Sequence, residues 1–234
     1  MSIINLFKVS QADRHKFCTH IIDSSAPRMD FYFLVILSTL IVALGLLADN
    51  VILVIGGMLV TPLLSPILVV ALGIVINDHK VIMRSIRILL TSFIFAFFVS
   101  LILGFFSSVE LREISLIKIM QPSLFAFFIA VVAGLAASYT WAKPGLNETL
   151  PGIAITVTLI PPLTAIGLAI ADLEWHIFSN VFKVLLLNIF GIIVASLIIF
   201  SLMEFYKAKR KIVEEVEEEA KEIKKEKEES NSTK

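Results

Sequence analysis

The chain is 234 residues and 26.0 kDa, 57% hydrophobic and 17% charged, with mean hydropathy +0.91 and 20 basic residues against 20 acidic. A charged fraction this far below the roughly 25% of soluble domains excludes a soluble globular enzyme, and so few Gly and Pro exclude a collagen-like or disordered chain. The one cysteine, Cys18, has no partner for an internal disulfide.

Residues 1–30 are polar and net basic, a cytoplasmic N-terminal segment. Ile3, Ile4, Phe7, Phe17, Ile21 and Ile22 fall at roughly helical spacing, which suits an interfacial amphipathic helix. A disordered start fits the same residues. The apolar group within residues 1–10 is too short for the core of a signal peptide.

Six apolar blocks follow, at 31–47, 51–76, 86–109, 123–141, 150–171 and 177–203. Each is long enough to cross a hydrocarbon layer of about 30 Å, and none alternates as a barrel strand does. The expectation is an all-α polytopic membrane protein. Glu110, Arg112, Glu113 and Lys118 mark 110–120 as an interfacial turn of helix. Lys and Arg in the short loops set the orientation. If every block crosses, Lys80, Arg84, Arg87, Lys143 and Lys207–Lys211 share one side with Arg14, Lys16 and Arg28. Asp49, Asp172 and Glu174 fall on the other. Both termini are then cytoplasmic, at the inner membrane of a prokaryote.

The tail, 204–234, is a charged cytoplasmic helix with a disordered end. Val213, Val216, Ala220 and Ile223 follow a-to-d spacing, which suits a short coiled coil and a homo-oligomer. The seam is short, and a solvated single helix held by pairs such as Glu217–Lys221 is the alternative that this favours.

Blocks two and five carry prolines at mid-membrane. Val60-Thr61-Pro62-Leu63 matches Ile160-Pro161-Pro162-Leu163, followed by Gly73 or Gly167 and by Asp78 or Asp172. This predicts two inverted three-helix repeats, 31–109 and 123–203, with the second and fifth helices broken. In secondary transporters such paired interruptions mark the binding site. Proline removes an N–H and clashes with the preceding turn, so freed carbonyls must face protein or a wet cavity. Thr61 before Pro62 and Ser65 before Pro66 read as N-caps of new half-helices, whose positive ends favour an anion. Half-helix carbonyls would suit a cation instead, and simple packing kinks are the structural alternative. The candidate substrate-binding residues are Thr61, Pro62, Ser65, Pro66, Thr158, Pro161, Pro162, Thr164 and Asn188. Asn188 is the costliest polar group inside a block and suits a bond across helices. Thr156 flanks the second break, and Ser38, Thr91, Ser92 and Ser100 suit local bonds to the preceding turn. Gly134, Ala137, Gly191 and Ala195 suit close helix packing.

No catalytic or metal-binding motif is present: His15, His20, His79 and His176 lie outside the blocks without ligand spacing. No enzyme activity, cofactor or nucleic acid is expected. The partners are the lipid bilayer, a small solute or ion and other copies of the chain.

The stretches Ile55-Gly56-Gly57-Met58-Leu59, Thr61-Pro62-Leu63-Leu64-Ser65-Pro66, Pro151-Gly152-Ile153-Ala154-Ile155 and Leu159-Ile160-Pro161-Pro162-Leu163 resemble the DUF389 family of prokaryotic hydrophobic membrane proteins. The resemblance covers about 28–203 and implies the membrane core, with no activity attached. The resulting expectation is a membrane transporter or channel, with a slight preference for an anion. The alternative is a membrane scaffold or signalling subunit acting through the tail.

Overall fold

The computed structural model describes residues 11–107, 109–143, 146 and 159–208, with Val213, Glu217 and Lys221 beyond them. Every regular element among them is helical: α1 Gln11–Ser24, α2 Met29–Leu47, α3 Val51–Val60, α4 Leu64–Val75, α5 His79–Phe106, α6 Ser115–Lys118, α7 Leu124–Ala142, α8 Ile160–Ala171 and α9 Trp175–Leu202, with 3-10 turns at Leu111–Glu113 and Phe205–Ala208. Four of them, α2, α5, α7 and α9, are long and apolar enough to cross a membrane, and the bent pair α3–α4 would make five.

The helices reverse through one repeated device. Asp49, Asn77 and Leu173 each hold a positive φ, at 48°, 52° and 55°. The following N–H then reaches back five residues: Asn50 to the Gly45 carbonyl at 2.8 Å, Asp78 to Gly73 at 3.0 Å and Glu174 to Ala169 at 2.8 Å. This is the left-handed ending that satisfies a helix's last carbonyls. Gly45 and Gly73 sit where the returning helix comes closest. A Cβ there would lie 2.8 Å from the Val54 nitrogen, or 3.1 Å from that of Ile82. Asn50 and Asp78 then cap the next helix, each accepting from two backbone N–H groups. The Asp78 cap starts α5 at His79, seven residues before the third apolar block, so Lys80, Arg84 and Arg87 ride on the helix itself.

The connections gather at two ends of the bundle. At one end, here the lid end, 111–118 spans the turns α2–α3 and α8–α9. The Asp49 carboxylate accepts from Ser115 N at 3.1 Å and Leu116 N at 2.9 Å. Asp172 accepts from Leu111 N at 3.3 Å, and Arg112 meets Glu174 at 2.7 Å. At the opposite tail end, Arg14 donates to the Met203 carbonyl at 3.1 Å, Phe17 stacks near Phe200 and Phe205, His20 meets Trp141, and Lys80 reaches Glu217. Helix α1 closes this end of the bundle. It buries Phe17, Cys18, Ile21 and Ile22 and packs on α4, α7 and the 205–208 turn.

Two short helices occupy the middle. Residues 65–73 of α4 and 160–169 of α8 are all buried. Helix α4 packs on α5 and α9, and α8 packs on α9 and α5. Gly167 lets α8 cross α5 at backbone contact, since a Cβ there would meet the Ser100 hydroxyl and lie 2.8 Å from the Phe97 carbonyl. Gly134 and Gly191 do the same between α7 and α9, against Ile192 and Ala130.

Candidate functional site

Helix α3 stops at Val60 and α4 starts at Leu64, bent by 53° across Thr61-Pro62-Leu63. Pro62 holds Thr61 extended, at φ −74° and ψ 133°. This overturns the expected caps. Thr61 closes α3 rather than opening α4, and Ser65 lies inside the first turn of α4 with Pro66 after it. Leu63 takes the N-cap place without a side-chain bond. Pro66 can sit there because the first turn's N–H groups need no helical partner. The carbonyls that end α3 gain a partner against expectation: the Ser38 hydroxyl of α2, expected to bond its own preceding turn, donates to the Gly57 carbonyl at 2.8 Å because α2 and α3 are in backbone contact. By contrast Thr91, Ser92 and Ser100 bond the preceding turn of their own helix, as expected.

The two short helices after the proline motifs match in their starts and stops. Helix α4 begins at Leu64 with Pro66 third, and α8 begins at Ile160 with Pro162 third. Their C-caps Ile76 and Asp172 share one geometry, near φ −83°, ψ −3° and φ −89°, ψ 4°, and each precedes the positive-φ residue. By position in its helix Pro162 matches Pro66 and not Pro62, and the same offset sets Pro62 against Thr158 in sequence. Thr158, with Thr156, lies outside the described residues.

Helix α8 spans 12 residues, about 18 Å, and ends at the lid. It therefore begins near the midpoint of α9, whose 28 residues run about 42 Å. Helix α4 begins at a similar depth and ends at the tail end. The two short helices thus run from mid-bundle to opposite ends, positive ends inward.

Beside the start of α8 lies a cavity of 420 Å³. Pro161, Pro162 and Asn188 line it, with Val54 and Met58 of α3 facing them and Gln121 at the lid. Asn188 is buried. Of the expected site residues, Thr61, Pro62, Ser65, Pro66 and Thr164 do not line this cavity. Two of these carry a second signal. The hydroxyls of Thr61 and Thr164 are buried with no hydrogen-bond partner, a condition shared with Ser85. A buried hydroxyl without a partner costs about 1–3 kcal/mol, so one at each proline-marked helix is not neutral. Met58 and Gln121 were not legible as site residues: one is an ordinary apolar residue, the other follows a short loop.

Length and composition place these helices with those of membrane-embedded helical proteins. The chain belongs to the DUF389 family: the family model described as a domain of unknown function matches residues 58–194. That stretch holds α4, α8 and the Met58, Pro161, Pro162 and Asn188 walls of the cavity. An uncharacterized protein of Methanocaldococcus jannaschii, MJ0678, is 30% identical over 168 residues, 72% of this chain and 52% of that protein. The chain thus spans about half the length of the curated relative it matches. No solved structure matches it.

Proposed function

We propose that this chain is a membrane transporter or channel for a small solute or ion, built from two inverted three-helix repeats with six crossings. One observation carries the reading: α4 and α8 share their start, their third-place proline and their ending, yet run from mid-bundle to opposite ends. Inverted repeats with interrupted helices place binding sites at such a midplane. The crossed packing of each short helix on α5 and α9 supports the same pseudo-symmetry.

An anion is the favoured cargo in this reading. Two positive helix ends point inward, and no Asp or Glu of the described helices lies at that depth. Pro66, Pro161 and Pro162 withhold N–H groups, so the attraction comes from the dipoles more than from donors. Orientation follows from charge. The lid end holds Asp49, Glu110, Glu113, Asp172 and Glu174 against Arg112 and Lys118, which supports a cytoplasmic tail end in a prokaryotic inner membrane. The small residues Gly134 and Gly191 are used within the bundle, so the expectation of a homo-oligomer now rests on the tail seam, whose Val216, Ala220 and Ile223 lie outside the described residues.

The test is anion flux into proteoliposomes by the purified chain and by Thr61→Val with Thr164→Val. Valine keeps the shape and removes the partnerless hydroxyls. Transport predicts flux by the wild type, and a loss of flux in the double variant with unchanged or higher thermal stability. A wild type that passes no solute from a panel of small anions, cations and neutral molecules defeats the reading.

A further inference from the structure

Two cavities meet at the lid. The deep one has aliphatic walls from Val54, Ile55, Met58, Ile129 and Val184, with Asn188 and Gln121 as its polar groups. The shallow one, 160 Å³, presents Arg112, Lys118, His176 and Asn180. Met120 and Gln121 line both, so the two spaces are adjacent chambers of one recess. Four of the five acids of this end are turned to other work, and the fifth, Glu110, adds its charge beside Arg112. Asp49 and Asp172 accept from lid backbone, Glu174 grips Arg112 at 2.7 Å, and Glu113 lies 3.9 Å from Lys118. None of these four lines either chamber.

The chemistry of the walls excludes two kinds of occupant. A sugar-like solute would bury hydroxyls against Val, Ile and Met without partners. A bare inorganic ion in the deep chamber would trade its water for two amides. A molecule with an apolar body and a negative head satisfies both chambers. We infer that the recess binds an amphipathic organic anion, its aliphatic chain in the deep chamber and its carboxylate or phosphate ester against Lys118, His176 and Arg112. This deepens the transport reading by naming the substrate class, places the negative charge at the lid rather than at the inward helix ends, and rests on that reading for the step across the membrane. The same chemistry can arrive from water, as a short fatty acid, or from the bilayer, as an anionic phospholipid.

The experiment uses the full chain in lipid nanodiscs and two photoreactive probes, decanoate and phosphatidylglycerol, each with a diazirine on the acyl chain. Labelled residues are mapped by peptide mass spectrometry. Saturable labelling of Met58, Ile129 or Val184 is expected, displaced by decanoate at least about tenfold better than by decanol. Lys118→Gln with His176→Gln should weaken that displacement about tenfold, the scale of a lost charge-assisted bond. Ile129→Trp, which swaps one half-exposed apolar residue for a larger one, should block labelling without lowering the melting temperature. Labelling by the lipid probe alone upholds the chemistry and assigns the bilayer as source; labelling by decanoate assigns the aqueous source. Labelling that does not saturate, or that decanol displaces equally well, overturns the inference. Saturable labelling without flux leaves the site standing and removes transport. Flux of inorganic anions without saturable labelling removes the inference and leaves transport.

Discussion

Pro66 and Pro162 hold the same place, third in a buried short helix that ends in the same left-handed turn. Each sits at the inner start of its helix, and α4 and α8 run from there to opposite ends of the bundle. What they share is a constraint: each fixes where a helix can begin without needing an N–H. The two helices differ in most side chains and keep the same start and stop.

The glycines beside the first break make opposite predictions. A Cβ on Gly56 meets nothing within 4 Å, whereas one on Gly57 would lie 2.5 Å from Val42 Cγ2 and 3.0 Å from the Ser38 carbonyl. Gly56→Ala should stabilise by about 0.5–1 kcal/mol through helix propensity. Gly57→Ala should destabilise by about 1–3 kcal/mol through overpacking against α2. Thermal melts of the two single variants in one detergent check the signs. Equal effects would mean that α2 and α3 are not in backbone contact.

Leu173 is 72% exposed and sits at φ 55°, a region that costs a branched side chain about 1 kcal/mol. Asn77 occupies the matching place after α4 without that cost. Leu173→Asn should therefore raise stability by about 0.5–1 kcal/mol. A fall in the melting temperature would show that Leu173 is anchored in the membrane interface strongly enough to outweigh its backbone.

The lid should loosen in acid. Backbone donation from Leu116, then the contacts with Ser115, holds the Asp49 carboxyl below its ordinary range. A depressed folded pKa adds stability above the unfolded value, about 3.9, and loses it as pH falls through the folded value. Asp49→Asn keeps a turn-forming residue and one acceptor but removes the charge. Wild type should melt above the variant at neutral pH, and the two curves should converge below about pH 4. A gap that persists unchanged at lower pH would assign the difference to the turn and not to the carboxylate.

The sequence disclosed the apolar blocks because length and hydropathy alone define a membrane-crossing helix, and α2, α7 and α9 begin and end within two residues or so of their blocks. Pro62 and Pro66 disclosed the bend, since no helix absorbs both. The text alignment of Pro62-Leu63 with Pro162-Leu163 differs from the structural one, in which Pro66 and Pro162 hold matching places in α4 and α8. The true match is set by the turns at Asn77 and Leu173, where the residues differ and only the backbone agrees. The lid was invisible for another reason. Asp49 with Leu116, and Arg112 with Glu174, join residues more than sixty apart in the chain, and no local pattern announces such a contact. The burial of α1 was equally closed, because Phe17, Ile21 and Ile22 suit a membrane surface and a bundle end alike.

The break itself makes the final prediction. In one continuous helix Pro62 would clash with the carbonyl of Met58, and Pro66 with that of residue 62, each losing a backbone bond. Replacing either proline alone therefore leaves the other to interrupt the helix, and both single variants should keep the 53° bend. Pro62→Ala with Pro66→Ala should let α3 run into α4. Straightening two arms of 10 and 12 residues lengthens the span between their outer ends by roughly 4 Å. Spin labels at Ile52 and Ile74, exposed near those two ends, read that distance by pulsed electron resonance. The double variant should show the longer distance, retain cooperative melting and lose flux, while the single variants keep the short distance. An unchanged distance in the double variant would mean that packing of α3 on α2 and α4 on α5, not proline, holds the bend. A longer distance with normal flux would reduce the break to a kink and sink the site between the short helices.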